Sequence, residues 1–283
     1  MGDHMGLPLL TGGHIGPPLL TALSLIPNPH PLAHTRRGSG APVILLHGLI
    51  GSQRDWQYLA PALAHDGYET ITVDLPAHGE SAWLQNPHEY SIETFYQQVA
   101  AWYAGLNLRE PALWIGHSTG GYLSLLVALR QPAWVRGLFL VAPLCNLPQV
   151  TPLLQHSTAA GFFIRYAPRL LIAALTSLDV PYTEPRGRQL RLGIARDYKR
   201  TSPYAPRILK GLPDLLPQAG AVHQRAAVLW GRNDRTLAPA CFAQLAGALP
   251  NGQAIPLRRG GHHPHLAIPQ TVNEHTLNFL QAF

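Results

Sequence analysis

A serine set between glycines is the residue with the most direct chemical use in this chain. It lies in Trp114-Ile115-Gly116-His117-Ser118-Thr119-Gly120-Gly121. The apolar run Ala112 to Ile115 leads into it, and a helix-like run from Tyr122 to Arg130 follows. Strand, sharp turn and helix in that order lift the Ser118 hydroxyl out of the fold, with Gly116 and Gly120 leaving room where side chains would clash. A serine hydroxyl becomes a nucleophile only when a base takes its proton, and the base needs a third group to orient it. After Ser118, the run Ala226 to Trp230 ends in Gly231-Arg232-Asn233-Asp234, and the next strand-like run ends in Gly260-Gly261-His262-His263-Pro264-His265. Asp234 is the expected acid, with Asp214 the second candidate although it follows no strand. His262 is the expected base, because two glycines let its loop swing over a sheet edge, and His263 is the second candidate. Three histidines in four residues could ligate a metal, but no carboxylate or cysteine cluster accompanies them in sequence, so no metal is expected. The developing oxyanion needs two backbone donors. Thr119 N–H follows the nucleophile, and Leu49 N–H lies in His47-Gly48-Leu49 after the run Val43 to Leu46. His47 itself is read as a structural residue of that loop.

These residues need a scaffold, and the pattern supplies one. Val43-Ile44-Leu45-Leu46, Glu69 to Val73, Gly137 to Ala142 and Ala226 to Trp230 are short, mainly apolar runs of the kind that parallel strands covered on both faces require. Leu32 to Arg37, Ala22 to Ile26 and Gln253 to Leu257 are further strand candidates. Between them lie helical patterns: Arg54 to His65 with Trp56, Leu59 and Leu63 on one side, Ser91 as the cap of a helix to about Leu106, Pro239 to Leu249, and Pro269 to Phe283. Alternating strands and helices predict an α/β fold, a mostly parallel central sheet with helices on both faces. Residues 32–143 and 216–283 form this expected core. Residues 144–215, mostly helical and without a clear strand, are read as an inserted cap, and residues 1–31, rich in Leu, Pro and Gly, as a poorly structured lead-in.

Composition sets outer bounds. The chain has 283 residues, 46% hydrophobic and 13% charged, enough for a sizeable ordered core. Its two cysteines, Cys145 and Cys241, indicate no disulfide framework. No run of about 18 uncharged apolar residues occurs, so no membrane span is expected and the default location is cytoplasmic. The formal charge of +6 is unevenly placed: residues 144–215 hold ten basic and four acidic side chains, while the remainder has eleven of each. A solvated surface accounts for this, as does steering of an anionic substrate. Within the cap, Phe162, Phe163 and Tyr166 are expected to line an apolar substrate pocket, with Pro168 kinking or dividing the helix and Arg165 and Arg169 sharing a face if it continues.

Together, His47-Gly48, Asp74-x-Pro-x-His78-Gly79-x-Ser81, Gly116-x-Ser118-x-Gly120, Gly231-x-x-Asp234 and Gly261-His262 resemble the α/β-hydrolase superfamily in its lid-bearing serine branch. The resemblance covers roughly Leu32 to Phe283. Ala77 stands where relatives often carry Gly, and Ala267 where many carry Glu. The resemblance implies a structural role for the Asp74 loop and a Ser-Asp-His triad. Ser118 argues against the haloalkane dehalogenase and epoxide hydrolase branches, which place Asp at the elbow. Hydrolysis of a carboxylic ester, lactone or thioester with a hydrophobic group, with no cofactor, is the expected activity. The stretch from His47 through Trp56 also resembles menaquinone-pathway lyases, which act on polyanions. Carbon–carbon bond hydrolases and a non-catalytic ligand receptor are further alternatives. A small-molecule substrate is the expected partner, no nucleic acid is, and the sequence leaves oligomeric state open.

Overall fold

The computed structural model describes residues 31–146, 148, 150, 156–175 and 185–283. Among them, seven strands form one sheet in the order β1-β3-β2-β4-β5-β6-β7: β1 His34–Arg37, β2 Ala41–Leu46, β3 Tyr68–Val73, β4 Ala112–His117, β5 Val135–Val141, β6 Arg225–Gly231 and β7 Gly252–Leu257. β1 pairs antiparallel with β3, and the other pairings are parallel. The strand candidate Ala22 to Ile26 and the rest of the expected lead-in before residue 31 lie outside the described residues.

The apolar runs are continuous because both sheet faces are covered. Ile44, Leu46, Trp114, Leu138, Leu140 and Val228 pack into one core with residues of helices α2 (Ile92–Gly105) and α3 (Thr119–Arg130). Their sequence neighbours Val43, Leu45, Leu113, Ile115, Phe139, Val141 and Leu229 point the opposite way. These pack with α1 (Leu59–His65) and with the closing helix, whose Val272, Phe279 and Leu280 join them. Side chains that alternate between two buried layers are what a two-sided parallel sheet demands. Ser91 caps α2 by accepting from the Thr94 amide at 3.1 Å, as its position before the apolar periodicity predicts.

One helical expectation changes. The stretch Arg54 to His65 is not one helix: Gln53–Trp56 forms a tight 3-10 turn, and α1 starts at Leu59. Trp56, Leu59 and Leu63 are buried together all the same, because both kinds of helix return a residue to the same side after three or four positions. Between β5 and β6 the described elements are helices and 3-10 turns: α4 (Ser157–Tyr166), α5 (Arg169–Leu175), α6 (Pro185–Tyr198), Ala205–Leu209 and Leu216–Ala221. Pro168 divides α4 from α5, so Arg165 and Arg169 do not share a helical face. The ends of this stretch meet, the Leu215 amide donating to the Cys145 carbonyl at 3.0 Å.

Four of the five described non-glycine residues with positive φ follow four neighbouring strands at their carboxyl ends: Ile50 after β2, Ala77 after β3, Ser118 after β4 and Ala142 after β5. One edge of the sheet therefore carries most of the backbone strain. Ala77, at φ 65, adopts the left-handed conformation that a glycine would enter without a Cβ penalty.

Candidate active site

Ser118 sits at the apex between β4 and α3 with φ 50 and ψ −113. Such a conformation costs about 1–3 kcal/mol and persists only where its surroundings impose it. Here the Ser118 amide donates to the Val141 carbonyl at 3.0 Å, and its carbonyl accepts from Tyr122 at 3.1 Å and Leu144 at 3.0 Å. The flanking glycines are steric necessities. A Cβ on Gly116 would lie 2.5 Å from the Gly120 carbonyl oxygen, and one on Gly120 would lie 2.6 Å from that of His47.

His262 is carried by the loop after β7. Its Nε2 lies 3.1 Å from Ser118 Oγ, and its Nδ1 lies 2.8 Å from Asp234 Oδ2. The other Asp234 oxygen accepts from the Thr236 and Leu237 amides at 2.8 and 3.0 Å. Burial alone would raise the Asp234 pKa. The neighbouring His262 charge, the His262 hydrogen bond and the two amides outweigh it and hold the carboxyl below its ordinary value. With Asp234 ionised, the arrangement keeps the Nδ1 proton on the carboxylate side and turns an Nε2 lone pair toward the serine. All three side chains are buried, Ser118 at 8% exposure. Asp214, the second candidate acid, instead accepts from Leu216 N at 2.9 Å and Asn146 Nδ2 at 3.4 Å. His263 precedes the four-residue helix Pro264–Ala267, which holds His265.

Leu49 lies in the loop after β2, and Thr119 opens α3, where a helix leaves its first amides without intrahelical acceptors. His47 donates from Nδ1 to the Gly48 carbonyl at 2.7 Å and accepts at Nε2 from the Leu75 amide at 2.9 Å. His78 repeats the pattern, from Nδ1 to the Pro76 carbonyl at 2.8 Å and at Nε2 from Ile50 at 3.1 Å. Both rings serve as neutral clamps between loops. Asp74 is a third clamp: its carboxylate accepts from Gln53 N and Nε2 and from Glu80 N, at 2.7 to 3.0 Å.

The side chains expected to line a pocket are placed differently. Phe162 and Tyr166 are 66% and 60% exposed and stack on each other, centroids 4.6 Å apart. Helix α4 buries the side carrying Ile164, so these two aromatics, one helical turn apart, fall on the solvent side. Phe163 is half-buried and packs with Ala167, Ile172 and Ala195 inside the helical segment.

Three contributors to the site carried no readable signal in the sequence. His117 Nε2 donates to the His262 carbonyl at 2.8 Å, tying the Ser118 turn to the His262 loop. Asn233 Oδ1 accepts from the Gly261 amide at 3.0 Å, tying the Asp234 loop to the same place. Asp55 supplies the carboxylate missing beside the histidines in sequence: it is buried, and ligand atoms of Asp55, His117 and His265 lie within 4.8 Å of one another.

Residues 41–267 match the family described by the α/β hydrolase fold. The chain belongs to that family. Among α/β-hydrolase relatives, a pimeloyl-[acyl-carrier protein] methyl ester esterase of Stenotrophomonas maltophilia is 26% identical over 256 residues, covering 87% of this chain and 95% of the esterase. Bifunctional epoxide hydrolase 2 of Sus scrofa is 38% identical over 99 residues, 35% of this chain, and the match spans only 18% of that longer protein. The enol-lactonase of Burkholderia xenovorans superposes with a TM-score of 0.76 at 19% identity, over 88% of this chain and 96% of the lactonase. An esterase of Exiguobacterium antarcticum gives 0.77 at 17% identity, over 88% and 95%. Both structures show the shared fold. No helix among the described residues is long and apolar enough to cross a membrane.

Proposed function

We propose that the protein is a serine hydrolase that cleaves a carboxylic ester, or a related lactone or thioester, through an acyl-enzyme on Ser118. The observation that carries this reading is the unbroken chain from Ser118 Oγ through His262 to Asp234 at a strained turn. His262 takes the hydroxyl proton as Oγ attacks the carbonyl, and the imidazolium that forms is stabilised by Asp234. The Leu49 and Thr119 amides receive the oxyanion. His262 then returns its proton to the leaving alcohol, and water repeats the sequence on the acyl group. Leu49 in the proposed oxyanion loop and Leu144, whose amide donates to the Ser118 carbonyl, belong to the apolar core or pack against it, and support a hydrophobic acyl or alcohol group. Residues 144–215 serve as the cap, which the hydrogen bond between their two ends supports. A serine at the turn suits acyl transfer. Opening an epoxide by the same route would require a carboxylate nucleophile there.

The test pairs chemistry with labelling. Wild-type protein is expected to hydrolyse short p-nitrophenyl esters and to be labelled by a serine-directed phosphonate at Ser118. Ser118→Ala should lose the label and about 10⁵–10⁶-fold in kcat while keeping its fold. Labelling at another serine, or ester turnover that survives Ser118→Ala, overturns the reading. Absence of ester turnover together with carbon–carbon or pyruvate-eliminating activity would move the same residues to a lyase or carbon–carbon hydrolase function.

A further inference from the structure

Behind the serine turn lies a second group of chemically capable residues that ester hydrolysis does not use. Asp55 comes from the 3-10 turn after β2, His117 from the end of β4 and His265 from the short helix after β7. All three are buried, with His117 and His265 at 1% exposure. Buried ring nitrogens are normally hydrogen-bonded. Here His117 Nδ1 and both nitrogens of His265 have no hydrogen-bond partner within the protein. The His117 tautomer is fixed from the far side. Nε2 carries the proton it donates to the His262 carbonyl, which leaves a lone pair on Nδ1. A histidine whose second nitrogen is committed to a backbone carbonyl is the usual arrangement of a metal ligand, and the Asp55 carboxylate is likewise hydrogen-bonded, by Ser52. Two glycines keep the space open: a Cβ on Gly48 would come within 2.7 Å of His117 Nδ1, and one on Gly51 would collide with the Asp55 carboxylate.

We infer that Asp55, His117 and His265 form a binding site for a single divalent transition-metal ion of the zinc class. Two imidazoles and a carboxylate are a donor set that zinc accepts, with bonds of about 2.0–2.2 Å and tetrahedral ligand spacings near 3.3 Å. The ligand atoms, all within 4.8 Å of one another, need only small side-chain shifts to reach that spacing. The ion's role is structural. It joins the loop after β2, the nucleophile strand and the loop of the proposed base, and so fixes His262 relative to Ser118 from behind. This inference is independent of the reaction proposed for Ser118.

The experiment uses Co²⁺ and Zn²⁺ as probes on chelator-treated full-length protein. One Co²⁺ per chain is expected, with the visible d–d absorption of a low-symmetry four-coordinate ion, and Zn²⁺ should displace it and raise Tm. Long-range proton–nitrogen spectra of the histidine rings identify the ligands in the wild type itself, with paramagnetic shifts expected at His117 and His265. Asp55→Asn and His265→Gln should each weaken binding at least about tenfold, whereas Ser118→Ala should bind normally. Wild type without the absorption band and without a Zn²⁺-dependent rise in Tm overturns the inference and leaves water as the partner of these nitrogens. Binding that persists unchanged in both variants, or shifts confined to other histidines, overturns it as well. If neither variant folds, the wild-type ring spectra decide alone.

Discussion

Asp234 receives three donors, two from amides and one from an imidazole, so its orientation does not depend on substrate. Asp234→Asn keeps the shape but presents an amide that favours the wrong imidazole tautomer, and ester turnover should fall by about four orders of magnitude. His262→Ala should abolish acylation, while His263→Ala should keep activity within about tenfold, since His262 alone among the three clustered histidines bonds both Ser118 and Asp234. Steady-state kinetics on the purified variants checks both expectations. His78 makes a different prediction. Burial first, then the nearby His47, pushes its pKa down to about 3. The unfolded chain binds this proton near pH 6.5 and the folded protein only near pH 3. The stabilisation is complete above about pH 6.5 and is lost as pH falls through that window. Denaturant midpoints measured from pH 7.5 to 4 should fall steadily, and His78→Gln, weaker at pH 7.5, should show a shallower decline.

At the level of elements, the glycines divide into those the site requires and those it tolerates. Gly116→Ala and Gly120→Ala drive a methyl group into backbone carbonyls and should abolish soluble, folded protein. Gly193 lies within α6 with open space around it, and Gly193→Ala should stabilise by about 0.5–1 kcal/mol, read as a shift in thermal or denaturant midpoint. The difference shows what a sequence discloses. Gly-x-Ser-x-Gly between an apolar run and a helical run is legible because local sterics impose it. Buried strands such as Ala41–Leu46 are legible because two covered faces need continuous apolar residues. Asp234 is legible as a candidate because it follows such a strand, β6, whereas His262 follows the mostly exposed β7 and stands out through the two glycines before it. The direction in which α4 turns Phe162 and Tyr166 is not, because an apolar helix offers several faces and the surface it meets decides which is buried. The meeting of Asp55 with His117 and His265 is equally silent, since it depends on the register of β2, β4 and β7 in three dimensions.

For the whole molecule, the uneven charge is the feature with a measurable reach. Part of the basic excess of residues 144–215 faces acids of the core or its own carbonyls. Arg200 pairs with Glu80, and Lys199 donates to the Ile164 and Arg165 carbonyls at 2.8 and 3.1 Å. In the opposite sense, Asp197 pairs with the core's Arg54 at 3.4 Å. Arg165, Arg169 and Arg188 are exposed. Reversing these three to Glu takes the segment from +6 to 0. If the field steers substrates, kcat/KM for a carboxylate-bearing ester should drop more than for its methyl analogue. The gap should narrow from 0.1 to 1 M salt as the Debye length shortens from about 10 to about 3 Å. Equal responses from the two esters would leave the charge as a solvated surface.

The hydrogen bonds that bring Ser118, His262 and Asp234 together also order events in time. Ser118 and His262 follow strands, β4 and β7, that β5 and β6 separate in the sheet, and their hydrogen bond spans 144 residues of sequence. Contacts between such distant parts of a chain form only after the entropy of closing the intervening loop has been offset. During refolding, β4 can bury Trp114 against its neighbours before β7 brings the His262 loop into place. The turn itself can therefore form in a half-folded chain, but the Ser118–His262 hydrogen bond waits until the far edge of the sheet has docked.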